Sequence, residues 1–117
     1  MKKITSILVL LLAVATLSAQ DITGTWSGAL ETPNGTLRIN FNISGTGDKL
    51  TSTLDSPDQN AFDIPVDSTF FNQSELTIKV TNIGLQYSGK LVDDANIEGT
   101  LTQMGQSFEV NLKKKTE

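Results

Sequence analysis

Apolar and polar residues alternate with a period of two over most of the chain beyond residue 20, which is the pattern of half-buried strands. In TLRINFNIS, Leu37, Ile39, Phe41 and Ile43 share one face, and Arg38, Asn40 and Asn42 share the other. ELTIKV puts Leu76, Ile78 and Val80 on one face. LQYSGKL does the same with Leu85, Tyr87 and Leu91, and SFEVNL with Phe108, Val110 and Leu112. No stretch in this region has helical spacing. Turn-forming clusters divide the runs: Pro33-Asn34-Gly35, Gly45 to Asp48, Asn72-Gln73-Ser74, Asn82-Ile83-Gly84, Asp93 to Asn96 and Met104-Gly105.

The pattern predicts eight strands at about 22–30, 36–44, 49–55, 61–71, 75–81, 85–92, 96–103 and 106–112. The fourth is expected to break at Pro65, which has no N–H for a ladder. Short strands joined by tight turns favour an all-β antiparallel meander. About eight strands can close into a small, lipocalin-like barrel filled by its own side chains, and closure removes exposed edges. A flattened β-sandwich is the alternative.

The expected inward set is apolar. It runs from Ile22, Trp26 and Leu30 through Leu37, Ile39, Phe41, Ile43, Leu50 and Leu54 to Phe62, Ile64, Val66 and Phe70. It continues with Leu76, Ile78, Val80, Leu85, Tyr87, Leu91, Ile97, Leu101, Phe108, Val110 and Leu112. Phe71 and Met104 fall on the outward side. An echo links WSGAL, YSGKL and IEGTL, placing Gly28, Gly89 and Gly99 on the inward face. Glycines there either bend the strands of a barrel or clear space for a ligand, and the need for curvature favours bending.

The first twenty residues depart from this pattern. MKKITSILVLLLAVATLSAQ carries two lysines, an apolar run and then small residues, the order of a secretory signal peptide. The run is short for a bilayer span. The reading is a signal peptide over 1–19 and a single β-domain over 20–117, periplasmic or extracellular, with no membrane attachment after leader removal. The chain has no cysteine, so the domain must be held by its core rather than by disulfides. Without Lys2 and Lys3, seven basic residues stand against thirteen acidic ones, a net charge of −6. Such a surface repels phosphate backbones, which argues against nucleic-acid binding.

Composition also narrows the chemistry. Histidine and cysteine are absent, which removes the commonest general base and the commonest soft metal ligand. There is no G-x-S-x-G elbow and no phosphate-binding glycine loop. The carboxylates fall on outward faces or in turns, where solvation is their ordinary role. A non-enzymatic chain is expected, with no catalytic residue, cofactor or metal.

One stretch interrupts the alternation. TLDSPDQNAFDIPV, residues 53–66, holds two prolines and three aspartates, and Asp67 follows directly. Clustered carboxylates suit Ca²⁺, but the spacing fits no calcium loop. Asp55 and Ser56 are expected to accept local backbone hydrogen bonds before Pro57, as a corner would require. Loops also concentrate binding residues. Asp55, Ser56, Asp58, Gln59 and the outward Phe71 therefore form the candidate binding loop, for a protein or peptide partner. A small lipophilic ligand inside the barrel is the alternative.

DITGTWSGAL with LRINFNI, then STLDSPDQNAFDIPV, then GTLTQMGQSFEVNL, resembles the N-terminal β-domain that precedes the catalytic domain in secreted bacterial α/β-hydrolases of the serine-aminopeptidase type. The resemblance covers nearly all of the chain after the leader. In those enzymes the catalytic residues lie in the domain that follows, whereas this sequence ends at KKKTE. The resemblance implies a stand-alone accessory module, with a hydrolase in trans as one candidate partner, and carries over no catalytic residue.

Overall fold

A computed structural model of the protein describes residues 21–115. The leader expected over 1–19 lies outside the described residues. The strands are β1 (Gly24–Thr32), β2 (Gly35–Thr46), β3 (Lys49–Ser56), β4 (Ala61–Pro65), β5 (Ser68–Asn72), β6 (Glu75–Val80), β7 (Leu85–Asp93), β8 (Asn96–Gln103), β9 (Gln106–Glu109) and β10 (Leu112–Lys114). Two single 3-10 turns, Pro57–Gln59 and Thr81–Ile83, are the helical elements among the described residues.

All neighbouring strands pair antiparallel in one sheet, ordered β4-β3-β2-β1-β10-β8-β7-β6-β5, with β9 also on β8. The all-β meander expected from the alternation is the fold, and the sheet is strongly curled into a half-barrel. Ten strands replace the expected eight because two runs are interrupted. The run expected over 61–71 becomes β4 and β5, parted at Val66–Asp67. The run expected over 106–112 becomes β9 and β10, parted at Val110–Asn111. The two end strands of the sheet, β4 and β5, are thus consecutive in the chain. The curled sheet is joined there by covalent backbone and not by a ladder.

The interior is apolar and packed. Trp26, Phe41 and Tyr87 have no exposed surface, and the Phe41 and Tyr87 rings lie 5.5 Å apart and tilted at 42°. The Trp26 indole N–H donates to the Ile22 carbonyl at 2.9 Å, so its one polar atom is satisfied inside the core. Burying each aliphatic side chain of this kind is worth about 1.5–3 kcal/mol, and without disulfides this core supplies the stability.

Two positions of the expected inward set are corrected. Phe62 and Phe70 are each 57 % exposed. The pairing of β3 with β4 slips between Leu54 and Ser56, and Asp63 adopts a left-handed conformation with φ of 56°. That bulge reverses the side of every residue before it, so Ile64 faces inward and Phe62 outward. The chain then turns at Asp67, whose N–H donates to the Lys79 carbonyl at 2.9 Å. Alternation restarts one residue out of phase, turning Thr69 and Phe71 inward. Phe71, expected outside, packs half-buried against the core, whereas Met104 is 83 % exposed as expected.

The three glycines of the echo stand where neighbouring atoms approach too closely for a Cβ, and they do not line a void. Gly89 pairs directly with Gly99, and the Tyr87 phenol lies over both. A Cβ at Gly99 would meet the Tyr87 Oη and the Ser88 carbonyl at 2.5 Å. A Cβ at Gly28 would lie 2.7 Å from the Asn111 carbonyl, so β1 passes close beneath the break between β9 and β10.

Candidate functional site

The stretch around residues 55–60 folds as a corner. Pro57 opens a single 3-10 turn, which ends at Asn60 in the left-handed region (φ 56°), with the Asn60 N–H donating to the Pro57 carbonyl at 3.0 Å. The Asp55 carboxylate accepts the Asp63 N–H at 2.9 Å and the Asn42 amide at 3.1 Å. Asp58 accepts the Arg38 backbone N–H at 2.8 Å and its guanidinium at 2.7 Å. The side-chain and backbone hydrogen bonds from Arg38 hold the Asp58 carboxyl below its ordinary value.

Ser56 differs from expectation. Its side chain is buried, and its hydroxyl donates to the Gln59 Oε1 at 2.7 Å instead of accepting a backbone bond. The fold thus engages all four polar candidates of the corner. The aspartates 55, 58, 63 and 67 do not converge, since each that bonds does so with a different partner. No group of three or more His, Cys, Asp or Glu able to hold a metal ion occurs among the described residues.

Phe71 is not part of this corner. β3 runs from Lys49 to Ser56, so the turn that precedes it and the corner that follows it lie at opposite ends of the sheet, roughly 20 Å apart at strand rise. Phe71 sits at the Lys49 end, beside a feature that the alternation alone does not reveal. β4 pairs with β3 only from Thr53 to Ser56, and β5 pairs with β6. Lys49–Ser52 of β3 and Ser68–Asn72 of β5 therefore lie along a seam where no ladder joins them. The side-chain hydrogen bond between Ser52 Oγ and Thr69 Oγ1, at 2.6 Å, spans the seam.

Away from that bond the seam widens into a cleft of about 610 Å³, whose lining includes Ile22, Gly45, Leu50, Phe70 and Phe71. Asp21 and Asp48 add two carboxylates to the lining, which contains no cationic residue among the described residues. The hydroxyl and backbone N–H of Thr23 hold the Asp21 carboxyl below its ordinary value. The Lys114 ammonium lies close by, 5.6 Å from the Trp26 ring centroid and 3.3 Å from the Asp21 carbonyl. Gly45 belongs to the cleft for a steric reason: with φ of 106°, a Cβ there would collide with the Lys49 carbonyl.

Chemically, the seam offers strand edges, an apolar wall that includes two phenylalanines, and negative charge. These features suit an extended polypeptide, which bonds through its backbone and places alternate side chains into pockets. Pro65 is the signal in the sequence that marks the end of the β3–β4 ladder. Leu50, Thr69 and Phe70 carry no signal of their own. No protein family, curated protein or solved structure matches this chain.

Proposed function

We propose that the protein is an exported, non-catalytic binding module that takes an extended stretch of a partner polypeptide along the seam between β3 and β5. One observation carries this reading: two facing strand edges lack a ladder beside a cleft of about 610 Å³. A strand laid there would satisfy backbone groups of Lys49–Ser52 or Ser68–Asn72. Its inward side chains would meet Leu50 and Phe71, and a lysine or arginine near its end would face Asp21 and Asp48. A hydrolase acting in trans, as the resemblance implies, is one source of such a segment. The lysine, apolar and small-residue order of the first nineteen residues supports export.

The alternative of a carrier for a long lipophilic molecule has less support. Trp26, Phe41 and Tyr87 fill the interior, and the aliphatic cavity at one end of the sheet, lined by Leu30, Leu54 and Leu101, measures about 120 Å³. Ligand pockets usually run to about 300–1,000 Å³.

The test is selection of binders from a random peptide library, followed by amide shift mapping with an enriched peptide. Saturable shifts are expected at residues 49–52 and 68–72. Phe70→Lys puts a charge beside the edge, the device that natural edge strands use against pairing. It should weaken binding at least tenfold while leaving the melting temperature unchanged. Shifts centred on residues 55–60, or full affinity in Phe70→Lys, would sink the proposal.

A further inference from the structure

The corner at residues 55–60 also roofs a space. Between it, the 3-10 turn at Thr81–Ile83 and the ends of β1, β2 and β8 lies a cavity of about 120 Å³, partly open to solvent and with the exposed Gln59 in its wall. Its walls are aliphatic, with Leu30, Ile39, Leu54, Ile83, Leu85 and Leu101 among them. Three polar side chains reach it, and they hydrogen-bond within the protein. Ser56 bonds Gln59, and the Gln103 amide donates to the Ile83 carbonyl at 3.1 Å. The cavity therefore offers walls that are mostly hydrocarbon, with three polar side chains already engaged within the protein.

A cavity of about 150 Å³ lined by leucine, isoleucine and phenylalanine alone stays dry and takes up benzene or xenon; here eight aliphatic side chains make most of the wall, and three polar ones complete it. We infer that the space beneath the corner is a binding site for a small, uncharged, apolar molecule, flanked by the two 3-10 turns. The size sets the class: xenon, a benzene-sized ring or a short alkyl end fits, and a full fatty chain does not. The site lies at the opposite end of the sheet from the seam and does not depend on the peptide reading. It also gives the corner a second task, since Ser56 and Gln59 form part of the lid.

Methyl spectra of the ¹³C-labelled protein, recorded under xenon pressure and separately with benzene, test the inference. Saturable shifts are expected at the methyls of Leu30, Ile39, Leu54 and Leu101, with those of Ile22, Ile43 and Val110 unmoved. Leu37→Phe, from a half-buried position at the cavity wall, should fill the space and abolish those shifts while the melting temperature is maintained or raised. Ile64→Phe provides the same block from the other side of the lining should Leu37→Phe not fold. Absence of saturable shifts, shifts confined to the seam around Leu50, or shifts that persist in a folded blocked variant would overturn the assignment.

Discussion

Two strands of the sheet are interrupted, and the interruptions are handled in opposite ways. Between β9 and β10 the chain breaks at Val110–Asn111, yet both halves remain on the same neighbour, β8. The Val110 N–H donates to the Gly99 carbonyl at 2.9 Å, and the Val110 carbonyl accepts the Tyr87 hydroxyl at 2.8 Å. Between β4 and β5 the chain also breaks, but the halves change neighbours, from β3 to β6. What holds that second site is Asp67, which bonds Lys79 and Thr81 on the β6 side. A break is sealed when a large side chain and glycine-made room let the core supply the missing bonds. It becomes a seam when a proline ends one ladder and an aspartate starts another.

The largest expected difference follows from the sealed break. Gly99→Val places branched carbons where the Ser88 carbonyl and the Tyr87 hydroxyl already stand. Neither can retreat without moving the sheet, so the cost should reach or exceed the upper end of the usual overpacking range, about 3 kcal/mol. Denaturant unfolding measures it, and a loss below about 1 kcal/mol would mean that the glycine pair does not set the curvature.

A paired comparison is next in size. Tyr87→Phe leaves the Val110 carbonyl without its donor in the core, an expected loss of about 1–3 kcal/mol. The buried phenol keeps its proton throughout the ordinary pH range, because burial pushes its pKa up. Thr69→Val removes the Ser52–Thr69 hydrogen bond across the seam, and the expected loss there is about 1 kcal/mol. Hydrogen exchange should speed up at Lys49–Ser52 in the second variant and around Val110 in the first. Equal losses with no regional difference in exchange would erase the distinction between the two breaks.

The smallest effect is electrostatic. Hydrogen bonds from Thr81 lower the pKa of Asp67, as those from Arg38 lower that of Asp58. A lowered pKa in the folded state means that the unfolded chain takes up protons first as pH falls. The contribution is therefore complete above the ordinary aspartate value, about 3.9, and is lost as pH drops through the lowered folded values. Melting temperature should be level from neutral pH to about 5 and should decline below about 4. In Asp67→Asn the decline should be shallower, and an unchanged decline would assign the acid sensitivity elsewhere.

Period-two alternation was enough to read the strands, because a side chain's face on a strand depends on counting residues. It failed where the count is broken by backbone conformation. Asp63 in the left-handed region and the turn at Asp67 put Phe62 and Phe70 outside and Phe71 inside, and no residue type in that run announces the bulge. Pro65 was readable as the end of a ladder. That the next half-strand would join β6 and leave β3 exposed depends on contacts distant in sequence. The corner was legible as a corner from Asp, Ser and Pro alone. Its role as a lid was not, because the cavity below is made by side chains from strands distant in sequence, β1, β2, β7 and β8 among them.

The pairing of β1 with β10 has a mechanical consequence. The described chain enters at Asp21 and leaves at Lys115 from the same end of the sheet, on neighbouring antiparallel strands, with the Lys115 N–H bonded to the Thr25 carbonyl. Tension applied between those two points would load these few hydrogen bonds one after another, as a zipper is pulled, and not all at once in shear. Held from both ends, the domain would part first between β1 and β10, exposing Trp26 and loosening the wall of the cleft at Ile22. A tether on one end alone would leave that pair unloaded.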